Sequence, residues 1–102
     1  MAKPRLELQT ILEKLLGSRN VYFQPPSSIK MSYPAIVYEL DDIDPTHADN
    51  MLYIHNNRYK VTVIDSNPDS DIPMKVAGLP MCRFSTRYAS DNLNHTVFNL
   101  YF

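Results

Sequence analysis

The spacing of apolar positions along the chain switches between two periods, and each switch marks an element. Leu8, Ile11, Leu12 and Leu15 recur at i, i+3, i+4 and i+7, with Arg5, Glu7, Glu13 and Lys14 as polar partners. That spacing predicts one amphipathic helix over Leu6–Leu16, and Gly17 stands where a helix end turns left-handed. Asn20 to Gln24 is a short β-type run, broken by the prolines at 25 and 26. Residues 34–40, PAIVYEL, predict a strand that is apolar on both sides, and residues 41–49, DDIDPTHAD, predict a loop. From Met51 to Ile64 the pattern predicts a long strand or a hairpin broken near Asn56-Asn57. Tyr59, Val61 and Val63 share one face there, and Arg58, Lys60 and Thr62 share the other.

Residues 65–71, DSNPDSD, then act as punctuation. Asn67-Pro68 starts a turn, Asp69, Ser70 or Asp71 can accept the free amides of a following helix, and Pro73 is tolerated in its first turn. A helix is expected from about Asp71 to Leu79, closed by Pro80. Cys82, Phe84, Thr86 and Tyr88 alternate with Arg83, Ser85 and Arg87 in a further strand. Asp91, Asn92 and Asn94 supply turn residues, and Thr96, Phe98, Leu100 and Phe102 alternate to the last residue, so FNLYF is expected in a paired strand. The order α-β-β-β-α-β-β predicts an α+β fold, with two helices packed on a mostly antiparallel sheet. Leu8, Leu12, Leu15, Val76 and Leu79 are expected to cover Val37, Val61, Val63, Phe84 and Phe98.

At 102 residues the chain is expected to form a single domain spanning 1–102. Ten Lys and Arg against eleven Asp and Glu exclude a domain-wide nucleic-acid footprint, which needs clustered positive charge. The distribution matters more than the total. No Lys or Arg occurs between Lys30 and Arg58, whereas Glu39, Asp41, Asp42, Asp44 and Asp49 all fall in that interval. A lone Cys82 cannot form an intramolecular disulfide and reads as a small apolar residue rather than a nucleophile. Glu7 and Glu13 inside the first apolar stretch argue against a secretory leader, and no run reaches transmembrane length; a soluble, cytosolic protein with no membrane partner is expected.

Candidate chemistry is sparse. Asp65, Asn67 and Asp69 match the first, third and fifth positions of an EF-hand calcium loop, but position six is Ser70 instead of Gly and position twelve is Val76 instead of Glu. His47, His55 and His95 lack the spacing that puts two metal ligands on one helix face. Gly17 and Gly78 alone cannot build a phosphate-cradling loop. Ser27, Ser28 and Ser32 sit near prolines, without a nucleophile elbow. The expectation is therefore no catalytic residues, no metal and no cofactor.

YPAIVYELDDID, ADN, RYKVTVIDSNPDSDIP, LPMCRF and DNLNHTVFNLYF together resemble small tail completion or tail terminator proteins of long-tailed bacteriophages. The likeness runs from Val21 onward and lies in turn and strand residues. It implies an α+β subunit of a homo-hexameric ring that caps the tail tube, ends its polymerisation and joins tail to head. The implied partners are the tail tube protein and a head-completion or connector protein, with DNA passing through unbound, and the implied location is the virion neck after synthesis in the host cytoplasm.

A head-completion or stopper protein of the same neck is the nearest alternative. A small regulatory binding module and a hydrolase built on the histidines and loop acids are further ones. Glu39, Asp41, Asp42, Asp44 and Asp49 are expected in a loop facing the ring lumen or the adjoining ring, where carboxylates repel phosphate. Arg83, Arg87, Tyr101 and Phe102 are the expected subunit contacts, because polar-faced strands and an aromatic terminus leave edges that a ring would cover.

Overall fold

The structure is a computed structural model that describes residues 5–26, 30–48 and 51–102, with the backbone alone at 42–48 and 51–57. Helix α1 (Arg5–Leu16) leads into β1 (Val21–Phe23), β2 (Ala35–Ala48) and β3 (Met51–Asp65); α2 (Ile72–Ala77), β4 (Cys82–Ser90) and β5 (Leu93–Tyr101) follow. The five strands form one sheet in the order β1-β2-β3-β5-β4, antiparallel except for the β1–β2 pair. This is the expected α+β class and element order.

Strand alternation decides which side chains meet the helices. Ile36 pairs with Val63, Tyr38 with Val61, and Val61 in turn with Phe98, while Tyr59 pairs with Leu100. Those residues form one buried cluster with Leu8 and Leu12 of α1 and Ile72 and Val76 of α2. Each fully buried Leu or Val contributes about 1.5–3 kcal/mol of transfer free energy, so this one face carries most of the stability. Leu15 and Leu79 reach the cluster only partly buried. Val37 lies opposite Thr62 on the other side of the sheet, because its neighbours Ile36 and Tyr38 take the helix-facing positions. Phe84 touches Phe98 edge-on at 6.1 Å but stays 61% exposed, so neither Val37 nor Phe84 is covered as expected.

A polar clamp seats α1. The Tyr38 hydroxyl accepts from Arg5 Nη1 at 2.9 Å and donates to Gln9 Oε1, while Gln9 Nε2 donates to the Val21 carbonyl at 3.1 Å. The Arg5 guanidinium lies 4.2 Å from the centre of the Phe23 ring. A buried hydroxyl without partners would cost about 1–3 kcal/mol, so this network lets a tyrosine occupy the core. Burial pushes the Tyr38 phenol above its ordinary value, opposed in part by Arg5.

The turns follow their sequence signals closely. Gly17 has φ +80, and its amide donates to the Glu13 carbonyl at 2.9 Å. Asp91 (φ 53) and Asn92 (φ 62) are both left-handed and join the paired residues Ser90 and Leu93, the geometry that suits a two-residue hairpin. In the hinge, Asp65 Oδ1 accepts from the Asn67 amide and Asn67 Oδ1 from the Asp69 amide, each at 3.0 Å. Ser70 Oγ accepts from the Ile72 amide at 3.3 Å; Asp71 is the N-cap residue but makes no side-chain cap bond. Two of the three oxygen-bearing residues of the calcium-like spacing thus act as turn acceptors.

Candidate functional site

Two expectations about the sheet change, and both concern its margins. Residues 41–48 are not a loop: β2 continues to Ala48 and pairs with β3 to the end, with Ala48 opposite Met51. β3 runs unbroken as the long strand, one of its two expected forms, and Asn56-Asn57 face Asp44 and Ile43. Pro45 is accommodated opposite His55 in a two-stranded ribbon, where every strand is an edge and a missing N–H costs least. The second change is in β4. A register shift between Phe84 and Thr86 reverses the alternation, so Thr86 and Tyr88 oppose Val97 and His95 instead of following Phe84 onto the helix-covered face.

The first change creates an arm. β5 pairs with β3 only as far as Arg58, opposite Tyr101, and β1 pairs with β2 only over Ile36–Tyr38. Residues 43–48 and 51–57 therefore pair only with each other among the described residues. At about 3.3 Å per residue the ribbon extends roughly 20 Å past the sheet, consistent with overall extents of 49 × 23 × 23 Å.

The arm is fastened at its base. A register shift at Asp41 brings its Oδ2 to 2.9 Å from Arg58 Nε. The Arg58 guanidinium is held in its charged form above the ordinary arginine value, first by the hydrogen bond with Tyr101 and then by the Asp41 carboxylate. Glu39, exposed, faces Lys60 across the β2–β3 pair. The acidic interval, which has no Lys or Arg of its own, thus meets two cations supplied by β3. Asp42 and Asp44 lie on the strand backbone at the start of the arm; Asp49 lies outside the described residues.

The second marginal feature is β4 itself. It is the last strand of the sheet, and every residue from Arg83 to Ser90 is exposed, in contrast to its neighbour β5, where Thr96, Val97, Phe98 and Leu100 are buried. Arg83 and Arg87 both stand on it, with Arg87 Nη2 donating to the Pro68 carbonyl at 3.1 Å. Met81 beside it is 64% exposed and Tyr88 is 50% exposed, its ring stacked on His95 at 4.7 Å. Tyr101 and Phe102, by contrast, are half-buried; Phe102 packs on the core. Of the aromatic residues of FNLYF, Phe98 is buried and Tyr101 and Phe102 keep part of their surface, while β4 holds Phe84 and Tyr88 exposed.

Where the arm leaves the sheet, a cleft of about 620 Å³ is lined by Arg58, Met81, Cys82, Arg83, Asn99 and Tyr101. Burial pushes the Cys82 thiol upward, away from the thiolate that nucleophilic chemistry needs. No group of three or more His, Cys, Asp or Glu among the described residues could hold a metal ion, and no described helix is long and apolar enough to cross a membrane. His47 and His55 fall where only the backbone is described. Sequence reasoning missed the arm, reading residues 41–49 as a loop because they carry a proline and no apolar alternation. Comparison with protein-family models, curated proteins and solved structures finds no match to this chain.

Proposed function

We propose that the chain is a structural subunit of a phage neck, a tail terminator that closes into a homo-hexameric ring on the end of the tail tube and joins it to the head-side connector. The observation that supports this reading is β4: a nine-residue strand with an open outer edge and exposure on both faces. An isolated subunit gains little from ordering such a strand, whereas a ring covers it with a neighbour. The arm fits the same role, since a ribbon projecting past the sheet has no cover within its own subunit. The protein acts through shape and contact, with the tube protein on one ring face, the connector on the other, and DNA passing without specific binding.

The test is native mass spectrometry of the purified chain, combined with electron microscopy of isolated tails incubated with it. A six-subunit mass and a six-fold ring at the head-proximal tube end are expected. A chain that stays monomeric in solution and leaves the tube ends bare would overturn the reading.

A further inference from the structure

The cleft where the arm leaves the sheet gathers hydrogen-bond donors in excess of acceptors. Asn99 pairs with Lys60 on one side and Arg83 on the other, and Tyr101 pairs with Arg58, so these side chains share the sheet face turned away from the helices. Arg58, Arg83, Asn99 and Tyr101 all line the cleft, and no described carboxylate does. Arg58 has partners: its Nε donates to Asp41 Oδ2 at 2.9 Å, and the guanidinium also hydrogen-bonds Tyr101. Arg83 differs. Among the described residues neither its guanidinium nor the Asn99 side-chain amide has a hydrogen-bond or ion-pair partner, and the Tyr101 hydroxyl, which accepts from Arg58, has no acceptor for its own proton. We infer that the cleft binds a carboxylate side chain, a Glu or Asp on an acidic segment of a partner protein, with Arg83 as its ion-pair partner and Tyr101 and Asn99 as donors.

The core of this chain shows the same arrangement completed. There the Tyr38 hydroxyl accepts from Arg5 and donates to Gln9 Oε1, so an arginine–tyrosine pair ends on a side-chain oxygen. At Tyr101 the arginine is in place and the oxygen is left to a ligand. Charge then selects among oxyanions. Asp41 opposes Arg58 and Glu39 faces Lys60, which leaves Arg83 as the unopposed cation of the three. A carboxylate brings one negative charge and a planar fork that matches a guanidinium, whereas a phosphate monoester brings about 1.5–2 charges.

Shape selects against a duplex. The cleft, at about 620 Å³, lies within the roughly 300–1,000 Å³ of small-ligand sites, and Met81 and Cys82 give it an apolar wall. A recess of this kind admits a side chain, while duplex phosphates lie on a stiff convex surface. Met81 has φ 60, and its carbonyl accepts from the Tyr101 amide at 3.1 Å, so the backbone holds wall and donor together before any ligand arrives. This placement does not rest on the ring reading.

Cys82 is the only cysteine of the chain and lines the cleft, so its alkylation by iodoacetamide, followed by mass spectrometry of the full chain, reads occupancy. Acetyl-Leu-Glu-amide should slow the reaction saturably, and acetyl-Leu-Gln-amide should not. Arg83→Gln should weaken the protection about tenfold and Tyr101→Phe, which keeps the ring, about threefold. Arg83 is exposed, so its variant should keep the wild-type Tm. Protection that Arg83→Gln leaves unchanged, or that the glutamine peptide gives equally, overturns the inference. Inorganic phosphate that protects as well as the glutamate peptide marks a general anion site, and protection by a DNA duplex alone marks a nucleic-acid face; either result overturns it too. So does the absence of any protection at about 50 mM glutamate peptide.

Discussion

The body of the sheet and the arm are made from the same two strands, yet different physics holds each. Over residues 35–40 and 58–65, β2 and β3 have pairing partners and a helix layer, and Ile36, Tyr38, Tyr59, Val61 and Val63 are at most 3% exposed. Past Arg58 the same strands keep only each other. In the body the ladder is a by-product of burying one face; in the arm hydrogen bonds and turn chemistry remain without that driving force. The difference teaches that strand length here is not set by the core. On the ring reading proposed above, a ribbon longer than the sheet needs serves contact with a neighbour, and its contribution should be visible in association rather than in folding.

The sharpest way to break the body is at its densest point. Leu12→Ala empties a fully buried position between α1 and the sheet and should cost about 2–5 kcal/mol in urea or thermal unfolding. An equal loss from any single alanine substitution in 43–57 would erase the distinction. Tyr38→Phe should cost less, about 0.5–1.5 kcal/mol, by removing a hydroxyl that both accepts from Arg5 and donates to Gln9. It also has a pH signature. Because burial raises the Tyr38 pKa in the folded state, its contribution is complete below the unfolded value of about 10 and is lost as pH rises through the folded one. Stability of the wild type should therefore fall more steeply above about pH 10 than that of Tyr38→Phe, measured by denaturant midpoints along a pH series.

At the arm's root the expected effect is smallest. The Asp41–Arg58 pair has side chains 36% and 33% exposed, so Asp41→Asn should cost under about 1 kcal/mol, and less still in high salt. A loss of several kcal/mol would mean that the root belongs energetically to the body.

Much of the body was legible because period and burial agree there. The i, i+3, i+4, i+7 spacing of α1 and the alternation of Tyr59, Val61 and Val63 each report a single covered face, and Gly17 and Asp91-Asn92 announce backbone conformations that few other residues adopt. The margins were less legible for physical reasons. In the arm, DDIDPTHAD has polar residues and a proline because it has no core to face, so periodicity has nothing to report and a strand reads as a loop. In β4 one inserted residue near Ser85 reverses the faces, and alternation continues across the bulge in sequence while breaking in space. The clamp on Tyr38 joins residues 29 and 33 positions apart, a link that no local window contains.

The central claim is that the arm serves association and the body serves folding. Replacing residues 43–57 with Asn-Gly, which joins Asp42 directly to its partner Arg58, separates the two in one protein. Unfolding should remain cooperative with Tm within about 5 °C of the wild type, a shift on the order of 1 kcal/mol for a chain of this size, while native mass spectrometry finds the monomer where the full chain assembles. A truncated chain that still assembles, or one whose Tm falls by more than about 15 °C, would contradict the account.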